Sequence, residues 1–470
     1  MKVTSSYKVK IINVNNVIDD TIKIYRKALK FYSLVIYCEW DSFKDLTSKE
    51  RVNLAEKLTH RTKQNPNPSY DFSIDFYKYP SYLRRSTISE AIGIVSSYFS
   101  NLENYEKDRY NAISNGRKFK KKRPKLNFNH FKCPVLFKDN MFNMLEENKA
   151  QIKIYKFNKK SKKGNANERS SVAQTGDWIW LNVNLREQDL KYICYNTFGQ
   201  KQMSPTLVKK GKKAYLKFPF EKDVKLNKTK LKEQKVCAID LGLNHSAVCS
   251  IIDYNGTVSD RLFINQPLEK DRVNRLLTVI KRKQKYNKQL PKHWAKVNSL
   301  NLHLVNDTVN KIIKFALKNK VDVLVFEHLN FKGKKSNRNK AMQLTMWKHR
   351  VIAQKLKHNA HKFGMRYSQV NAKNTSALAF DGSGYVKRDE KNASLCVFPS
   401  EITPKGKVSY RNGKQYNCDL NASYNIGARY FIKKIWEELS DKKKSQLEAK
   451  VPQVGRRTQC TLSTLKLIVA

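Results

Sequence analysis

The 470-residue chain is expected to fold as a mixed α/β catalytic core preceded by a helical segment and a small antiparallel β-barrel. Three observations predict this. Two apolar, β-branched runs each close on an acid, Asp240 in A-I-D and Glu327 in V-L-V-F-E, as buried parallel strands of an α/β sheet do. Short alternating runs separated by Asn, Gly and Lys clusters fill residues 126–230, the period-two texture of antiparallel strands. Apolar stripes at spacings of three and four dominate the first 115 residues and predict helices.

In chain order, Val3, Val9, Ile11 and Val14 alternate in part and predict a strand over the first 15 residues. Ile18, Ile22, Tyr25, Leu29, Tyr32 and Ile36 then form one helical stripe with Asp19 and Asp20 near its start, where acids suit the helix dipole. N-P-N-P at 65–68 breaks the chain, and a second stripe, Ile88, Ile92, Val95, Tyr98, Leu102 and Tyr105, runs into G-R-K-F-K-K-K-R-P-K at 116–125. Gln151 to Phe157, Trp178 to Val183 and Ala214 to Phe220 supply barrel strands, with 159–167 as a hairpin tip. Trp178 and Trp180 share one strand face and are expected to pack there. From Lys235 come V-C-A-I-D-L, a glycine turn, A-V-C-S-I-I-D-Y, a third strand after N-G, helical segments at 271–317 and the run V-D-V-L-V-F at 321–326. That ladder, followed by helices and a returning buried strand, is the layout of a ribonuclease-H-like core.

Composition names the class of partner. Against 40 Asp+Glu stand 93 Lys+Arg, a formal net charge of +53 spread along the chain among 23 Tyr, 22 Phe and 6 Trp; such a field concentrates polyanions, and the rings suit stacking. The eight cysteines show no CxxC spacing and read as reduced thiols. With no run of 18 apolar residues and no signal-like start in M-K-V-T-S-S-Y-K-V-K, membrane insertion and secretion are not expected. Gly242 and Gly256 read as turn-formers, since no GxxxxGK follows, so ATP dependence is not indicated.

Asp240 and Glu327 would leave the carboxyl ends of two strands, and Asp419, in C-D-L-N-A-S-Y-N-I-G, opens a helix. Oxygen ligands of this kind suit Mg²⁺, with Mn²⁺ able to substitute, and two such ions about 4 Å apart serve a phosphodiester displacement that leaves a 5′ phosphate without a histidine or lysine base. His328 is turned by strand alternation to the opposite face from Glu327 and is expected to pack. Asp253 and Asp381 read as loop residues. Lys120, Lys121, Lys122 and Arg123 are expected to meet RNA or a heteroduplex, with a localisation-type signal or a solvated linker as the alternatives.

These motifs, together with the helix 346–364 and V-N-A-K-N-T-S at 370–376, resemble the RuvC-type nuclease core of transposon-encoded TnpB proteins and the related type V CRISPR effectors, over residues 235–430. The resemblance implies an order: 1–15 first strand of a wedge barrel, 16–125 helical recognition lobe, 126–230 wedge barrel, 231–374 first part of the RuvC core, 375–418 a zinc-ribbon-like insert that binds target nucleic acid, 419–440 second part of the core, 441–470 a tail. It also implies an RNA-guided DNA endonuclease, acting as a cytoplasmic, nucleoid-associated monomer in a prokaryote, with a noncoding guide RNA and double-stranded target DNA as partners. The compact length favours TnpB, while the altered insert leaves a CRISPR effector open.

The chain departs from the pattern in that insert. The family's two CxxC pairs are missing, T-S-A-L-A-F-D-G-S-G-Y-V has no cysteine, and only Cys396 and Cys418 remain. Two thiolates do not make a four-cysteine site, with His358 and His361 as the other conceivable ligands, so no zinc is expected. Packing of Leu378, Tyr385, Leu395, Val397 and Phe398 is expected to order the insert instead. Two rivals stand beside the nuclease: an RNA-guided repressor without cleavage, which the complete acidic set argues against, and a strand-transfer transposase, whose acidic motif the setting of Asp419 does not resemble.

Overall fold

Residues 4–222 and the remainder, 1–3 with 223–470, form two compact units in a computed structural model of the chain. It describes all residues except 13–16, 77, 129–131, 147, 158–175, 243–244, 287–288, 329–347, 393 and 403–407. The expected hairpin tip at 159–167 and the start of the helix expected at 346 lie outside the described residues.

In the first unit the opening strand β1 (Lys2–Ile12) leads into helix α1 (Val17–Cys38), followed by α2 (Ser48–Thr59) and the long α3 (Ser81–Ser114). The α1 stripe read from the sequence is the buried one: Ile18, Ile22, Tyr25, Leu29, Tyr32 and Ile36 all enter one core. A capping box starts α2, with Thr47 and Glu50 each accepting from the other's backbone N–H, which satisfies two otherwise orphaned donors.

Strands β2 (Phe142–Met144), β3 (Lys149–Phe157), β4 (Gly176–Leu185), β5 (Lys201–Gln202), β6 (Thr206–Lys210) and β7 (Lys213–Asp223), with helix α4 (Glu187–Thr197) between β4 and β5, complete the unit. Their order is β2-β3-β4-β1-β7-β5, with β6 also on β7. The 134–138 segment ties β6 back toward β2: Leu136 N–H donates to Pro205 O (2.7 Å), Leu207 N–H to Pro134 O (2.9 Å), and Lys138 bridges Phe142. The sheet therefore curls on itself, as expected of a small barrel. Trp178 packs edge-on against Tyr79 and tilted against Tyr155, but Trp180 stays 40% exposed under Lys153. The two rings thus share a strand face and not an environment.

The second unit is built on a five-stranded sheet of order β10-β9-β8-β11-β12, from β8 (Lys235–Asp240), β9 (Ala247–Asp253), β10 (Val258–Ile264), β11 (Val323–His328) and β12 (Arg366–Asn371). β8–β9–β10 are antiparallel, while β11 runs parallel to both β8 and β12. Asp253 and Gly256 (φ +77°) make the turn between β9 and β10, so that glycine is the turn-former expected of it.

Both sheet faces are covered. Cys237, Ile239, Leu324 and Phe326 pack with α6 (Pro291–Lys318) and α7 (His349–Lys362), after a preceding α5 (Pro267–Lys283). Val236, Ala238, Val323 and Val325 pack with α8 (Cys418–Glu438) and α10 (Leu462–Val469). A side chain at Gly427 would put its Cβ 2.5 Å from Ile252 Cδ1 and 3.1 Å from Ala238 Cβ, so glycine lets α8 seat on the sheet.

Three expectations are corrected here. Residues 441–470, expected as a tail, contain α9 (Asp441–Lys450) and α10, and bury Val451, Val454, Cys460, Leu462 and Leu465 against α8, because L-S-T-L-K-L-I-V has an apolar face of its own. His328 ends β11 exposed, since its strand has run past the covering helices. In the insert, the strands β13 (Lys387–Arg388), β14 (Leu395–Val397) and β17 (Gln415–Asn417) form a small sheet beside the pair β15 (Glu401–Ile402) and β16 (Val408–Ser409). Its core is Ala379, Cys396, Phe398 and Cys418, while Tyr385 lies outside it and is exposed.

Candidate active site

The parallel pairing of β8 with β11 sets Ile239 opposite Phe326, so Asp240 and Glu327 follow side by side at the carboxyl end of the sheet. Asp419 comes from the other side of the site, at the second position of α8, where the Asn417 side chain caps the helix by accepting from the backbone N–H of Asp419 (3.1 Å) and of Leu420 (3.0 Å). The three residues singled out from the sequence are brought together. Burial, and then the nearby charges of Glu327 and Asp419, push the Asp240 carboxyl well above the usual carboxylate range, with Arg388 opposing the shift. Burial also raises Glu327, against a hydrogen bond from Thr375 and the charge of Arg429.

Each outer carboxylate has a partner that sequence reading missed. Thr375 Oγ1 donates to Glu327 Oε1 and lies 3.1 Å from Ala372 O. His245 Nδ1 stands 2.9 Å from Asp419 Oδ2, its ring edge-on to Phe263. A Cβ at Gly242 would come within 2.9 Å of His245 O, so glycine there lets the two backbones approach closely.

A second tier fixes the loop that carries Thr375. Asn421 accepts from Phe380 N–H (2.8 Å) and donates to Leu378 O (2.9 Å). Asn425, one turn on, donates to Thr375 O (2.9 Å) and Leu378 O (2.8 Å) and accepts from Leu462 N–H (3.2 Å). Arg429, one turn further, is buried and donates to Asn371 O, Lys373 O, Thr458 O and Cys460 O at 2.7–3.0 Å. Polar residues every four positions along the buried stretch 420–432 of the helix form one stripe, and that stripe was the available signal for them.

An all-oxygen set of three neighbouring carboxylates, one raised by burial and then by the other two, has the chemistry of a hard-cation site. Among the described residues no three His, Cys, Asp or Glu side chains already stand in a metal-holding arrangement; Glu327 and Asp419 are turned to Thr375 and His245. Of the other residues named from sequence, Asp253 and Asp381 accept from nearby backbone N–H groups in turns. Lys121 pairs with Asp108 and Arg123 with Glu106 on α3, while Lys120 and Lys122 are exposed. Cys396 and Cys418 share the small core of the insert, where a hydrogen bond from the Cys396 thiol lowers the Cys418 thiol to about 7. His358 and His361 sit on α7, both lowered by burial and neighbouring lysines.

Comparison with known proteins gives two kinds of likeness. The Aq_aa04 family matches residues 4–156. The uncharacterized protein aq_aa04 of Aquifex aeolicus is 37% identical over 102 residues, and the chain covers 56% of its length, so it spans about half of this curated relative. Among solved structures, a Cas12f1–sgRNA–target DNA complex aligns over 90% of this chain and 98% of its own at 16% identity and a TM-score of 0.32. C2c1 of Alicyclobacillus acidoterrestris with single-guide RNA aligns over 88% and 70% at 11% and 0.40. CasPhi-2 (Cas12j) bound to crRNA aligns over 89% and 97% at 10% and 0.39.

Proposed function

We propose that the chain is a metal-dependent endonuclease that hydrolyses DNA phosphodiesters, directed by a guide RNA and by a short motif beside the target that the protein reads. The observation that carries the hydrolytic part is the grouping of Asp240, Glu327 and Asp419 at the carboxyl end of β8 and β11, with Asp240 raised by burial and then by its two neighbours. Mutually repelling carboxylates gathered at the mouth of a parallel pair suit a divalent cation better than any uncharged ligand.

Asp240, Glu327 and Asp419 would hold Mg²⁺ or Mn²⁺. Bound there as a pair, such ions lower the pKa of an attacking water and neutralise the leaving oxygen. Thr375 fixes the rotamer of Glu327, His245 that of Asp419, and Arg429 fixes the backbone on which Thr375 rides. With carboxylates held this way, no histidine or lysine is required to take the proton from water at neutral pH.

The nucleic acid is argued from the +53 charge, and RNA guidance from the likeness of residues 235–430 to TnpB and type V effectors. In such proteins base pairing supplies the sequence specificity, so a guide-binding chain needs shape and charge more than base-reading side chains. No helix among the described residues is long and apolar enough to cross a membrane.

The test is to purify the protein with its RNA, sequence that RNA, and offer a labelled duplex matching it beside randomised flanks. Cutting in Mg²⁺ and binding without cutting in Ca²⁺ is the expected result. The flanks retained in cut molecules read out the adjacent motif, and the RNA shows whether the guide comes from a transposon end or a CRISPR array. Equal cutting of matched and unmatched duplexes would overturn guidance, and no cutting with matched RNA would overturn the nuclease.

A further inference from the structure

In the first unit, α4 presents three aromatic rings to solvent. Tyr192 is 61% exposed, Tyr195 88% and Phe198 95%. The spacing of three puts Tyr192 and Tyr195 on one side of the helix, and Phe198 follows at its C-cap, where the backbone turns out of the helix before Gly199 (φ +71°). Ile193 and Thr197 anchor the opposite side of α4 in the protein. Tyr192 is braced edge-on by Tyr7 of β1 at 6.1 Å, which in turn meets Phe220 of β7 at 5.9 Å. The outer rings are therefore displayed from a rigid base and not from a frayed segment.

Leaving three aromatic rings in water forgoes burial that an ordinary surface would take. Their sequence neighbours on and just after the helix are Lys191, Cys194, Asn196 and Gln200. Exposed rings on one face suit ligands that offer flat π surfaces.

Charge decides the occupant. Residues 4–222 contain 43 Lys+Arg and 21 Asp+Glu. The two acids of α4 are already engaged: Glu187 pairs with Lys191 at 2.6 Å, and Asp189 accepts from the backbone N–H of Lys10 at 3.0 Å and lies 3.9 Å from Arg186. Each acid of the helix is thus matched by a neighbouring cation, and Lys201 is exposed three residues beyond Phe198, opposite Glu221 on β7. We infer that the Tyr192–Tyr195–Phe198 face of α4 stacks on unpaired bases of single-stranded nucleic acid. This rests on the nucleic-acid part of the proposed function and not on cleavage.

The test uses the full chain and four fluorescein-labelled probes of about twenty units, a length that spans more than one stacking site: single-stranded RNA, single-stranded DNA of the same sequence, the same DNA made abasic, and duplex DNA. Tyr195→Ala/Phe198→Ala should weaken binding to the base-bearing single strands about tenfold or more and leave the abasic strand and the duplex unchanged. Tyr195→Phe/Phe198→Tyr should restore the affinity, because the π faces return. A greater loss on RNA than on DNA would assign the face to the guide, and the reverse to displaced target DNA. Single-strand affinity unchanged in the alanine variant would overturn the inference while the wild type still binds. A wild type that sediments as a dimer and an alanine variant that does not would overturn it in favour of a second copy of the chain. Wild type that binds none of the four probes would overturn the proposed function as well.

Discussion

The two sheets of this molecule bury themselves differently. In the curled sheet of residues 4–222, β7 alternates buried and open positions, and the core lies to one side. In the five-stranded sheet, β8 and β11 are buried on both faces between α6 and α7 on one side and α8 and α10 on the other. A sheet buried on one face offers its other face for binding; a sheet buried on both meets water only at its strand ends. Polar chemistry is therefore confined to a point in the second unit and spread over a surface in the first, although both are strongly basic.

That contrast is broken most directly at the strand ends. Asp240→Asn, Glu327→Gln and Asp419→Asn should each cut the cleavage rate by about a thousandfold or more, the scale of several kcal/mol of charge stabilisation, and leave gel-shift affinity within about twofold. A variant that still cuts like wild type removes its residue from the site.

Next comes the buried clamp. Arg429→Leu would strand four backbone carbonyls and should lower unfolding free energy by about 3 kcal/mol, as the loss of a buried charged donor does; an unshifted denaturant midpoint would show that the carbonyls find other partners. A smaller change is expected from His245→Ala, about tenfold in the Mg²⁺ concentration needed for half-maximal cutting, as for other groups that orient a ligand. If His245→Ala changes stability but not the Mg²⁺ requirement, the histidine only packs.

The raised carboxyl of Asp240 gives a pH dependence with a definite sign. A carboxyl whose folded pKa exceeds its unfolded value binds more protons in the folded state, so metal-free stability should fall as pH rises through that window. Added Mg²⁺, which requires the ionised form, should stabilise more at about pH 8 than at about pH 6; thermal unfolding with and without Mg²⁺ reads both arms. On the surface side, Lys120→Glu with Lys122→Glu should weaken RNA binding only a few-fold and reduce its salt slope by roughly one to two, each lost phosphate contact contributing about 0.7–0.9. An unchanged slope would leave 116–125 as a solvated linker.

What could be read from the chain alone follows the same division. Asp240 and Glu327 were legible because each ends an uninterrupted β-branched run, and Asp419 because it opens a helix in a recognisable setting. Helix α1 was legible because one stripe carries its whole core. His245 and Thr375 were not, because their partners lie 174 and 48 residues away and nothing local marks the pairing, while Arg429 shows only as part of the polar stripe on α8, its partners 29–58 residues away. The apparent tail failed as a reading for a related reason: Leu462 and Leu465 form too short a stripe to declare a core until α8 supplies the other half. Tyr385 illustrates the opposite error, a ring credited with packing that the small insert has no room to bury.

The clamp at Arg429 bears on the order in which this chain can assemble. Thr458, Cys460 and Leu462 hold Arg429 and Asn425, and through them the loop bearing Thr375. A ribosome that has released Asp240, Glu327 and Asp419 has still to deliver these brackets, which lie some forty residues further along the chain. The nascent chain thus carries Asp240, Glu327 and Asp419 before it can brace the loop that holds Glu327.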